Sequence, residues 1–101
     1  MTRRVPPAAS GALKMARANG WSHSAEWART GGHWAYRVTV SRRATADQPY
    51  CHAVLVWHPD SSGAYAIGNA VVRHRPGGPW QDLPTIRSLY AIMHSGAATV
   101  P

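Results

Sequence analysis

Gly20 to Val40 reads G-W-S-H-S-A-E-W-A-R-T-G-G-H-W-A-Y-R-V-T-V, and its reading decides the fold. Trp21, His23, Ala25 and Trp27 recur at every second position, which predicts a half-buried strand over 21–29. Thr30-Gly31-Gly32-His33 then supplies a hairpin turn, because primed turns need positive φ at their centre. His33 to Arg42 alternates again. Trp34, Tyr36, Val38 and Val40 are assigned to the core, and His33, Ala35, Arg37, Thr39 and Ser41 to the opposite face.

Working outward on the N-terminal side, Ala9, Ala12, Leu13 and Ala16 form one helical stripe, predicting a helix over 8–19 with Ser10 as a candidate N-cap. Asn19-Gly20 stops it. Residues 1–7 read as a flexible basic arm that includes Arg3 and Arg4.

On the C-terminal side, 43–49 is a polar loop. Tyr50 to His58 is apolar at both parities, so it is expected to be an inner strand covered on both faces, or nearly so. Pro59 to Gly63 is a turn, and Ala64 to His74 is a fourth strand whose Gly68-Asn69 predicts a bulge. R-P-G-G-P-W, Arg75 to Trp80, is a rigid loop. Asp82 is expected to cap a second helix striped by Ile86, Leu89, Tyr90 and Met93 and stopped by Gly96. Residues 97–101 form a tail. The expected fold is α+β, α-β-β-β-β-α: one domain over 8–96, a four-stranded antiparallel meander flanked by two helices.

Composition narrows the chemistry. The chain has 101 residues, 45% hydrophobic and 15% charged, as a globular domain requires. Its formal net charge is +7, with Glu26, Asp47, Asp60 and Asp82 the only acids. Such an excess draws polyanions, nucleic acid first and acidic proteins second. So few carboxylates leave little scope for a paired-carboxylate mechanism or a magnesium cage. No phosphate-binding glycine loop or dinucleotide fingerprint is present. Cys51 is the lone cysteine and sits in an apolar run, where it reads as a small buried hydrophobe. Cys51, His52, His58 and His74 match no zinc spacing, and adjacent strand residues point to opposite faces, so neither a metal nor another cofactor is expected. With no signal peptide and no apolar run of roughly 20 residues, the expected location is the cytoplasm, without membrane association.

The candidate nucleic-acid-binding side chains are Arg37, Arg42, Arg43, Arg73, Arg75 and Arg87, with Arg3 and Arg4 on the arm. Trp80 or Tyr50 can stack on a base if exposed. His33 is the candidate catalytic residue. It follows two glycines, where a backbone can approach a ligand, and shares a face with Arg37. One side chain can move a proton near neutral pH, the other can hold a phosphate, and RNA cleavage by its own 2′-hydroxyl asks for those two roles.

Two resemblances follow from these motifs. G-W-x5-W-A-R, V-T-V-S-R-R and A-V-L-V-W are similar to a group of small proteins from actinobacteria and their phages. A-L-K-M-A-R-A-N-G-W, T-G-G-H-W-A-Y and Q-D-L-P-T-I-R-S-L resemble the HicA toxins. That resemblance implies a double-stranded-RNA-binding-like fold and mRNA cleavage by a histidine, restrained by an antitoxin. It would make His33 the catalytic residue, Gly31 and Gly32 its turn, and Tyr36 the family's aromatic. The chain departs from the family in having Gly32 where serine is usual, in lacking lysines beyond Lys14, and in the added segment around 43–68.

The leading expectation is a basic nucleic-acid-binding protein, RNA ahead of DNA, serving a phage or mobile element. The alternatives are a HicA-like endoribonuclease using His33, metal-independent, and an accessory protein that binds a host protein. A homodimer through a sheet edge is a further expected partnership.

Overall fold

The protein is described here from a computed structural model, over residues 5–46 and 50–95. Helix α1 (Pro7–Ala18) begins one residue earlier than the alanine stripe suggests. Pro7 occupies its first position, where a missing N–H costs nothing, and the Pro6 carbonyl accepts from Ala9 N and Ser10 N at 3.0 and 3.2 Å. Ser10 therefore lies inside the helix and is not its cap. The C-terminal end closes as a Schellman motif: Trp21 N donates to Ala16 O at 2.8 Å and Gly20 N to Arg17 O at 3.2 Å, with Gly20 at φ +75°. That closure turns the chain so that Trp21 enters the core beside Ala16.

Strands β1 (Ser22–Thr30), β2 (His33–Arg42), β3 (Cys51–Pro59) and β4 (Tyr65–Arg73) form the expected antiparallel meander. The β1–β2 turn is tight, with Thr30 opposite His33 and both Gly31 and Gly32 at positive φ (+59° and +85°). A short fifth strand, β5 (Gln81–Asp82), extends the sheet beyond β4. Asp82 consequently pairs with Val71 and does not cap the second helix. Helix α2 (Ile86–Ser95) is capped by Thr85, whose hydroxyl accepts from Ser88 N at 3.2 Å. Of the arm expected over 1–7, residues 1–4 lie outside the described residues, as do the Gly96 stop and the tail at 97–101, while Pro6 is buried as the N-cap and Pro7 belongs to α1.

Register fixes which side chains share a face. Val38 pairs with Leu55 and Val40 with Ala53, and on the far side Ala53 pairs with Val72 and Leu55 with Ala70. This inward face meets Ala9 and Ala16 of α1 and Leu89, Ile92 and Met93 of α2 in one buried cluster. Both helices therefore lie on the same side of the sheet. The small α1 residues let the helices approach closely, and at Gly11 a Cβ would sit 3.2 Å from the Tyr90 hydroxyl. At the turn end of the core, Trp27 packs edge-on against Tyr36 and Tyr65, with centroids 4.8 and 5.3 Å apart.

Two expectations need correction. Strand β3 is the inner strand expected, at the centre of the sheet, but its two faces are not equally covered: Cys51, Ala53, Leu55 and Trp57 are buried, while His52, Val54, Val56 and His58 are partly so. Strand β1 is less buried than its alternation implies. Trp21, just before it, is in the core and Trp27 is half-buried, but Ser22 to Glu26 are exposed at both parities. His23 and Ala25 do share a face with Val40 and Val38, yet that face is uncovered at the sheet margin. The outer side of β1 pairs with no other strand of the five-stranded sheet and is one of its two edges.

Candidate nucleic-acid interface

With both helices on the inward side, the other sheet face is left without a covering layer among the described residues. Its rows follow from the register. Strand β2 contributes His33, Ala35, Arg37, Thr39 and Ser41; β3 contributes His52, Val54, Val56 and His58; β4 contributes Asn69, Val71 and Arg73. Val54, Val56 and Val71 form an apolar middle, and polar clusters lie at both ends. His52 and His58 are six residues apart on one strand, so the ends are separated by roughly 20 Å.

The first cluster contains His33, half-buried at the start of β2. Its Nε2 lies 2.9 Å from Nδ1 of His58, with the rings at 71° and centroids 5.2 Å apart. Nε2 of His58 in turn lies 3.1 Å from Oδ1 of Asn69. An amide oxygen only accepts, so His58 Nε2 carries a proton. In neutral His58 the Nδ1 is then an acceptor, and His33 Nε2 must donate to it. The chain of donors thus runs outward from His33 to Asn69 and leaves Nδ1 of neutral His33 with an available lone pair.

The bulge supports this arrangement. The β3–β4 register shifts between Val56 and Trp57, pairing Val56 with Asn69 and Trp57 with Ile67, so that Gly68 is passed over. A Cβ on Gly68 would stand 2.5 Å from Cδ2 of His58. Gly68→Ala is therefore expected to push the His58 ring aside and break the chain while the sheet stays folded. The imidazole nitrogen shifts in an NMR spectrum check this: they should move from a fixed tautomer to the averaged values of a free histidine.

Arg37 shares the face with His33, as the alternation implies, but its guanidinium bonds the Glu26 carboxylate of β1, directly across the strand pair. Both side chains are about half exposed, so the pair exchanges readily with solvent or with another anion. Ala35, between His33 and Arg37, is fully buried.

The second cluster lies at the other end. His52 and Arg73 are register partners. The Arg73 guanidinium lies 4.5 Å from the centroid of Trp80, and the His52 ring meets the same indole at 5.4 Å, edge-on. The Tyr50 hydroxyl lies 3.2 Å from His52 Nδ1. Burial and the neighbouring Arg73 charge hold His52 below the ordinary histidine range, so it is neutral at physiological pH. Burial does the same to His74, at the end of this strand region. Both histidines bind a proton less tightly folded than unfolded. Stability is therefore fully present above about 6.5, the ordinary histidine value, and is lost as pH falls below it. Urea midpoints at about pH 7.5 and about pH 5.5 test the sign, and His52→Gln should flatten the slope.

The remaining predicted arginines do not form one patch. Arg42 has the inward parity of Val38 and Val40. It is 9% exposed, with its guanidinium 4.8 Å over Trp21, so it is removed from the open face. Arg43 is exposed in the loop after β2, and Arg75 is exposed in the loop that leads to Trp80. Arg87 is exposed on α2, in the helical layer behind the sheet. Arg3 and Arg4 lie outside the described residues.

Comparison with protein-family models, curated proteins and solved structures found no match for this chain. Function therefore rests on the geometry. Cys51 takes no part in either cluster: it is fully buried, and burial outweighs the nearby Arg42 charge to push its thiol up to about 11, which keeps it unreactive. Cys51 faces inward and His52 outward, and no group of three metal-ligating side chains comes together among the described residues. His58, Asn69 and His52 were not singled out as site residues by sequence reasoning. The even parity of His52 and His58 was available as a signal; the Asn69 contact depends on the register between strands.

Proposed function

We propose that the protein is a small nucleic-acid-binding domain, favouring RNA over DNA, that meets its ligand with the uncovered sheet face and the basic loops beside it. One observation carries this reading: in a chain of net charge +7, both helices pack on one side of the sheet. The face left open holds Arg37, Arg73 and three histidines, and its described acids are Glu26, already paired with Arg37, and Asp82. The order of elements, a helix, an antiparallel meander and a helix, is the layout that the resemblance implies for an RNA-binding fold and supports RNA ahead of DNA, without bearing on whether the strand is single or paired. Fluorescence anisotropy with labelled RNA and DNA over a range of salt tests it. Affinity should fall linearly on a log–log scale, and Arg73→Ala should reduce the slope by about one. Absence of binding to either polymer at low salt removes the reading.

A second reading, a metal-independent endoribonuclease, is favoured by the His33–His58–Asn69 chain. In it, Nδ1 of His33 takes the proton of a 2′-hydroxyl, the 2′-oxygen bonds to the adjacent phosphorus to give a 2′,3′-cyclic phosphate, and the 5′-oxygen leaves with a proton from water. His58, fixed by Asn69, holds the His33 tautomer that can accept. Arg37 would exchange Glu26 for the phosphate. Incubation of purified protein with RNA in a chelator tests it, and intact RNA excludes it.

A further inference from the structure

We infer that Trp80 and Arg73 form a stacking site for an unpaired nucleobase, which makes the ligand of the open face a single strand and not a duplex. The inference rests on the nucleic-acid reading above and gives it a substrate class. Trp80 is the one exposed tryptophan of the five, at 45%; the other four are buried or half-buried. Leaving an indole in water forfeits the gain from burying it, and here the loop actively holds it out. Pro76 and Pro79 limit the backbone, Gly77 adopts φ +71°, and Gly78 is pressed so close to Arg75 that a Cβ would stand 2.5 Å from its Cγ. The loop thus returns Trp80 onto the side chain of Arg73, the last residue of β4.

Arg73 has an unusual setting. Its guanidinium is set against the Trp80 ring, and its Nε is buried without a hydrogen-bond partner. It enters no ion pair with a described carboxylate. A ligand that fits these features must be planar, to lie on the exposed part of the indole, and anionic, to answer the unpaired charge. A nucleotide is both. Val54 and Val71, the next register pair along the face, continue the platform with apolar surface on which a ribose or a second base can rest. Neutral His52 adds a ring edge without adding charge. In a duplex each base is already stacked and paired, so its planar surface is unavailable to Trp80; in a single strand it is free.

The test compares an oligoadenylate, an abasic strand of the same length and a duplex, each titrated at low salt into the full chain. The oligoadenylate should bind about tenfold more tightly than the abasic strand and should quench the tryptophan emission, which the abasic strand should not. Trp80→Ala should abolish that preference and leave the salt slope unchanged, because the phosphate contacts remain. Trp80→Phe, which keeps a ring and guards against a folding defect, should retain most of it. Equal affinity for oligoadenylate and abasic strand, or tighter binding of the duplex, overturns the stacking site while leaving the nucleic-acid reading intact. Failure of all three to bind overturns both.

Discussion

Leu55→Ala is expected to destabilise the protein by about 2–5 kcal/mol, while Val54→Ala, one residue away on the same strand, should cost less than about 1 kcal/mol. Leu55 is fully buried between Val38 and Ala70 in the register, beneath the helices, and truncation there leaves a cavity that close-packed neighbours cannot fill. Val54 lies on the open face between Thr39 and Val71, partly exposed, and water replaces the lost methyls. Urea denaturation of the two variants measures the contrast. Similar losses would mean that a second layer covers β3, and the open face, with every functional reading placed on it, would have to be given up.

The other large effect concerns the histidine chain. Under the endonuclease reading, His33→Ala lowers the cleavage rate by about 10²–10⁴-fold, the usual contribution of a positioned acid or base. His58→Ala and Asn69→Ala should cost less, since each only fixes the His33 tautomer. RNA affinity should be nearly unchanged in all three, because the proposed phosphate contacts, Arg37 and Arg73, keep their charge in each. Cleavage undiminished in His33→Ala rejects the role, and affinity lost in parallel with cleavage would make His33 a binding residue instead.

Much of this arrangement is legible in Gly20 to Val40. Two glycines at the centre and strict alternation after them are enough to place His33 and Arg37 on one face, because both signals are local. The structure agrees on that point. Strand β3 misleads for a physical reason. Valine favours the pleated backbone whether or not both its faces are covered, so Val54 and Val56 report strand propensity as much as burial. Asp82 misleads similarly: a short acidic side chain after a loop suits a helix cap, but its backbone pairs with Val71, and Thr85 three residues later takes the capping role. Arg42 could have been placed correctly from its parity with Val40. The meeting of His58 with Asn69, and of Arg73 with Trp80, depends on inter-strand register and on the path of a loop. Neither is encoded in any one segment.

The β3 alternation has a consequence for how this domain can change over time. His52 and His58 belong to opposite clusters but to one strand and one parity, interleaved with Cys51, Ala53, Leu55 and Trp57. Inserting or deleting a single residue between them would reverse one cluster into the hydrocarbon interior and bring leucine or tryptophan out into water. Selection for a foldable interior therefore preserves the spacing of the two surface clusters without acting on them. Drift at the two clusters is then confined to side-chain replacement at fixed positions, and new spacing has to come from the loops at the strand ends.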